Sequence, residues 1–117
     1  MNLQQVIDKL QLTLLTDLQN FSDIVPTGGY ASDLLSCVMA GAKPKNLWIT
    51  LQAHINIVAV AALLDLSAVI ITEGALPDEK TIAKANEEQI ILLSTNNTTY
   101  SVIGNLWDMG IKANNKP

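Results

Sequence analysis

The sequence contains no arginine: all seven of its basic residues are lysines, set against eleven acidic residues for a formal charge of −4. Without a guanidinium fork there is no bidentate clamp for a phosphate or carboxylate, so an anion must be held by lysine or by backbone N–H groups. The acidic balance also argues against nucleic-acid binding, which needs clustered positive charge to neutralise phosphates. A single cysteine, Cys37, excludes an internal disulfide and cannot hold an iron–sulfur cluster by itself. A single histidine, His54, excludes most transition-metal cages. No cofactor is expected.

The start of the chain, Met1 to Leu10, has no basic region followed by an apolar run and does not read as a secretory signal. One long apolar run, Ile55 to Ile71, is broken by Asp65 and Ser67. It also changes from alanine-rich to β-branched, so it reads as a helix handing over to a buried strand and not as a membrane span. A cytoplasmic protein is the expectation.

What is present suits one folded domain. The chain has 117 residues, 49% of them apolar, enough to build a core without metal or disulfide staples. Residues 1–113 are expected to form a single α/β domain and 114–117 a disordered tail. Leu3, Val6, Ile7 and Leu10 recur at helical spacing, and Leu12 to Leu15 reads as a short strand. After a turn at Pro26, Thr27-Gly28-Gly29-Tyr30 begins an extended segment, and Ser32 to Met39 reads as a short helix stopped by Gly41.

From Asn46 the pattern is regular: strand Leu47–Leu51, helix Ile55–Leu66, strand Ala68–Thr72, a helix opened by Pro77 and Asp78, strand Ile90–Leu93, and a last helix capped within Asn96 to Thr99. That last helix turns Val102, Ile103, Leu106 and Trp107 inward and stops at Gly110. Alternating strands and helices with continuously apolar strands predict a parallel sheet covered on both faces. The helix at 55–66 is expected to turn Ala59, Ala61 and Ala62 to the sheet, with Ile57, Val60 and Leu64 off that face. A helix apolar all round is either sandwiched or part of a subunit contact, and a homodimer is the favoured reading.

In open parallel sheets ligands bind beyond the carboxyl ends of the strands, where helix N-termini point. Those ends are polar here: Gln52, His54 and Asn56 after one strand, Thr72 and Gly74 after the next, Ser94 and Thr95 after the third. They are the candidate binding residues for a small anion or nucleotide, set against the plain alternative that helix starts use such residues as caps. His54 is the one residue of a type that changes charge near neutral pH. It has no nucleophile elbow or other catalytic partner in the sequence, so no residue is assigned as catalytic. The run Gly74 to Thr81 has the spacing of a phosphate loop, but Glu79 stands where the second glycine belongs and Pro77 removes an N–H. It reads as a coincidence. Cys37 is expected as a small core residue, and Trp48 and Trp107 as core aromatics.

Thr27-Gly28-Gly29-Tyr30-Ala31-Ser32-Asp33, Leu47 to Val60, Ile70-Ile71-Thr72-Glu73-Gly74 and Leu93-Ser94-Thr95 together resemble a DRTGG domain, in particular the small stand-alone members found in anaerobic bacteria. The resemblance runs from Leu3 to Ile111. It implies a three-layer α/β/α fold with a mostly parallel sheet, similar to the N-terminal domain of HPr kinase/phosphorylase, whose kinase chemistry lies in a separate domain absent here. It further implies a regulatory, dimer-forming module of the kind that accompanies CBS domains in regulated pyrophosphatases. The sequence departs from the name-giving motif at Gln52-Ala53-His54, which has no arginine, and at Thr72-Glu73-Gly74, where Glu73 disfavours a nearby anion.

Three functions follow as expectations. The first is a non-catalytic regulatory or interaction module, homodimeric, sensing a small anionic ligand or nucleotide. The second is an accessory protein with a redox-complex partner in an iron hydrogenase or NADH-oxidising electron-transfer system. The third is a small phosphotransfer enzyme using His54 or Lys80.

Overall fold

A computed structural model describes residues 1–114. Its strands are β1 (Thr13–Leu14), β2 (Gly28–Ala31), β3 (Asn46–Thr50), β4 (Ala68–Ile71) and β5 (Leu92–Ser94), and its helices are α1 (Leu3–Leu10), α2 (Leu35–Gly41), α3 (Asn56–Leu63), α4 (Glu79–Glu87) and α5 (Thr99–Asp108). The strands form one sheet in the order β1-β5-β4-β3-β2. β2 to β5 run parallel, and only the two-residue β1 pairs antiparallel, with β5. This is the expected three-layer, mostly parallel α/β architecture.

Strand residues alternate between two cores, as the period of two requires. Leu47, Ile49, Ala68, Ile70 and Leu93 face α1 and α5, where Leu3, Val6, Leu10, Val102 and Leu106 are buried against them. Trp48, Val69, Ile71 and Leu92 face the other way, under Val38 of α2, Ile57, Val58 and Ala61 of α3, and Ala85 of α4. Every residue of β3, β4 and β5 is buried, which explains why these strands show no polar alternation. Among the described residues no helix is long and apolar enough to cross a membrane.

Several expectations need correcting. α3 stops at Leu63 and not Leu66, because the chain turns left-handed at Asp65 (φ 55°). α2 keeps Gly41 as its last residue and begins only at Leu35. The facing of α3 differs from the expected one: of the three alanines only Ala61 turns inward, with Ile57, Val58 and Val60, while Ala59 and Ala62 are exposed. The branched side chains fill the space over Trp48 that alanine would leave empty. Cys37 is exposed. Trp107 is 47% exposed, whereas Trp48 is fully buried with its indole N–H donating to the Ser32 carbonyl at 2.8 Å. Asn114 is hydrogen-bonded, accepting from Asn46 Nδ2 at 2.6 Å and donating to the Thr27 carbonyl at 3.2 Å. The rest of the expected tail, 115–117, lies outside the described residues.

Candidate functional site

The strand order decides where a ligand crevice belongs. The segment leaving β4 passes to α4 on one face of the sheet, and the segment leaving β5 passes to α5 on the other. Adjacent strands whose connections part to opposite faces open a crevice at their carboxyl ends. In this chain the two loops are tied together across that crevice. Gly74 N–H donates to the Thr95 carbonyl at 3.1 Å, and Glu73 N–H to the Asn97 carbonyl at 2.9 Å. Thr72 Oγ1 donates to the Thr50 carbonyl at 3.3 Å and shares a 2.6 Å hydrogen bond with Thr99 Oγ1.

The Glu73 carboxylate completes the closure by accepting the Thr99 N–H at 2.7 Å, in the first turn of α5. A free helix N-terminus attracts an anion, and here the chain supplies its own. Glu73 (φ 62°) and Gly74 (φ 75°) hold two consecutive left-handed positions. Glycine takes that conformation freely, whereas a side chain at Glu73 is strained.

Next along the edge, Asp33 binds the end of β3. Its Oδ1 accepts from Thr50 Oγ1 at 2.7 Å and from Leu51 N–H at 2.9 Å. Gln52 folds back onto this group, donating through Nε2 to the Asp33 carbonyl at 3.3 Å and through its N–H to Thr50 Oγ1 at 3.0 Å. Ser94 is buried at the end of β5, where it pairs in register with Thr13 and Ile71. Of the seven candidates, Gln52, Thr72, Gly74, Ser94 and Thr95 therefore belong to hydrogen-bonded or buried structure at the strand ends.

His54 and Asn56 are elsewhere. The His54 Nδ1 accepts the Asn56 N–H at 3.2 Å as the chain enters α3. Its ring lines an open cleft of about 430 Å³ between the β3–α3 and β4–α4 loops, together with Ala53, Ile55, Leu76, Asp78 and Lys80. Asn56 lines a smaller groove beyond it, beside Lys84 and Glu88. Asp78 caps α4, its Oδ1 accepting from Thr81 N–H at 2.8 Å and from Thr81 Oγ1 at 2.7 Å. Those bonds hold its carboxyl below the ordinary carboxylate range, the hydroxyl contributing most, with the Lys80 and His54 charges adding to the effect.

The same contacts dispose of the phosphate-loop spacing: the Gly74 N–H and the Thr81 hydroxyl, which such a loop would need free, are both already bonded. Sequence reasoning named Lys80 only beside His54 in the phosphotransfer reading, and missed Asp33 and Asp78 as neighbours of the edge. Asp78 was legible only as a helix opener, and Asp33 as part of the segment that carries the family resemblance. Among the described residues, no three His, Cys, Asp or Glu side chains gather to hold a metal ion. Among the described residues the His54 side chain makes one hydrogen bond, from the Asn56 backbone N–H.

No family model matches the sequence, and no curated protein matches it. A structural neighbour does. The fold is similar, with a TM-score of 0.71 and 16% identity, to the CBS and DRTGG domains of the regulatory region of Clostridium perfringens pyrophosphatase, complexed with the activator diadenosine tetraphosphate. The match covers 97% of this chain and 51% of that one. The likeness defines the class of fold, a DRTGG-like α/β domain, and the chain spans about half the length of the neighbour.

Proposed function

We propose that the chain is a non-catalytic regulatory module that works as a homodimer and senses a nucleotide or similar small anion in the cleft between α3 and α4. The observation that carries this is the fold likeness, over 97% of the chain, to a regulatory region complexed with a nucleotide activator. The cleft is the open part of the strand-end edge. Its volume lies in the range of small-molecule sites. Ala53, Ile55 and Leu76 give it apolar walls for a base, and Lys80 supplies the positive charge for phosphate. Beside it stands His54, whose Nδ1 is taken by a backbone N–H and whose Nε2 is left to donate; the Asp78 carboxylate shares the wall.

The dimer reading rests on α2 and α3. Neither helix contains a charged residue, yet Met39 and Leu63 are 49% and 70% exposed. Two copies of a chain carrying −4 approach most easily where neither bears charge, and Ala59 and Ala62 allow close helix contact.

A thermal-shift screen with diadenosine tetraphosphate, ATP, GTP and inorganic phosphate tests the sensing role. A ligand at about a hundred times its Kd adds roughly 2.7 kcal/mol, which raises the midpoint of a domain this size by about ten degrees. The expected shift disappears in His54→Ala and Lys80→Ala. A flat screen, or a shift that persists in both variants, overturns the cleft as the sensing site.

A further inference from the structure

The face of the sheet that carries α1 and α5 is not covered to its edge. Its buried core draws on β3, β4 and β5 but on no residue of β2. The reason lies in side-chain size: on this face β2 offers Gly29 and Ala31 where its neighbour β3 offers Leu47 and Ile49. A cleft of about 150 Å³ is left between this bare strip, α5 and the segment after it. Ile49, Ile103, Leu106 and Trp107 form much of its wall, and Lys112 is the one charged residue lining it. The Lys112 ammonium stands 5.9 Å from the centre of the Trp107 ring, and that ring is 47% exposed.

We infer that this cleft is a second binding site, separate from the α3–α4 cleft, and that it takes a single-ring aromatic carboxylate. Size sets the first half of the assignment: an apolar cleft of this volume has room for one benzene-sized ring. Charge sets the second half. With a cation at the mouth and no acidic residue on the wall, the bound ring is completed by an anionic group, which lysine holds as a point charge in a chain without arginine. The Lys112 ammonium stands over the Trp107 ring, which is itself part of the wall, so the bound ring and its anionic group meet an aromatic and a cation together.

The site reports on itself, because Trp107 is the half-exposed indole while Trp48 is buried. Titrating the chain with benzoate and phenylacetate is expected to change the Trp107 emission saturably, with benzyl alcohol binding about tenfold more weakly, the equivalent of about 1.4 kcal/mol. Lys112→Gln is expected to erase the preference for the carboxylates and leave the alcohol unaffected. Ala31→Ile fills the cleft from the exposed edge strand and is expected to abolish both responses, while a thermal melt confirms that the variant folds. No saturable change with any probe overturns the inference, and so does an equal response in Ala31→Ile. A carboxylate preference that survives Lys112→Gln overturns the role of the lysine and with it the anionic half of the assignment.

Discussion

α3 and α4 lie side by side on the same face of the sheet and are nearly equal in length, at eight and nine residues. Their outer surfaces differ completely. α4 is amphipathic: Thr81 and Ala85 are buried, and Lys84 reaches Glu88 at 3.3 Å and Glu87 at 3.7 Å on the solvent side. The two carboxylates hold the Lys84 ammonium above its ordinary value, the Glu88 hydrogen bond first. α3 has no charge at all, and it shows Ile55, Ala59, Ala62 and Leu63 where α4 shows lysine and glutamate. α3 buries Ile57, Val58, Val60 and Ala61 and α4 buries Thr81 and Ala85, but the contrast lies in the residues that neither helix buries. α4 turns charge to water, whereas α3 turns out an uncharged, partly apolar surface, the one on which the dimer proposal rests.

The largest effect that sharpens this contrast is in the core. Ile57 is fully buried, and Ile57→Ala is expected to cost about 3 kcal/mol, read as a fall of more than ten degrees in the melting midpoint. The outer surfaces give the next effect. Ala59→Glu on α3 and Ala83→Glu on α4 place the same charge at exposed positions. A buried, unpaired charge at an interface costs about 2–5 kcal/mol. Sedimentation equilibrium is therefore expected to show dimer affinity falling about thirtyfold or more for Ala59→Glu and hardly at all for Ala83→Glu. Equal behaviour of the two variants breaks the comparison.

A smaller effect belongs to the closed crevice. Glu73→Ala removes the carboxylate that binds the α5 N-terminus but keeps a left-handed side chain, whereas Glu73→Gly also relieves the strain. Chemical denaturation is expected to find the glycine variant about 1 kcal/mol the more stable of the two. The smallest effect is the pH dependence of the α4 cap. Asp78 has a lowered folded pKa, so its contribution is complete above the ordinary carboxylate value near 3.8 and is lost as pH falls through the lowered one. Melts of the wild type below about pH 4 should therefore lose a small increment that Asp78→Asn does not.

The parallel sheet was legible because β3, β4 and β5 are apolar on both faces, and the starts of α4 and α5 because Asp78 and Thr98 cap where capping chemistry predicts. The facing of α3 was not legible. A helix whose one polar residue is its first, Asn56, carries no periodic signal, so packing on Trp48 decides which side is inward. Trp107 was misplaced for a related reason: its helical spacing matches the core face, but β2 ends the sheet with glycine and alanine and leaves nothing for it to pack against. For the site, the polar residue types and their place at the strand ends were readable, and His54 does line an open cleft. Sequence could not show that Thr72 spends its hydroxyl on Thr50 and Thr99, or that Gly74 bonds Thr95, because these partners lie more than twenty residues away.

Binding without turnover separates a regulatory module from an enzyme, and phosphorus NMR of ATP or diadenosine tetraphosphate with the purified chain reads both at once. The expected result is that the phosphate resonances broaden or shift as protein is added while their integrals stay constant over hours. New phosphate or ADP resonances that vanish in Lys80→Ala or His54→Ala would contradict it, and would make the α3–α4 cleft a phosphotransfer site.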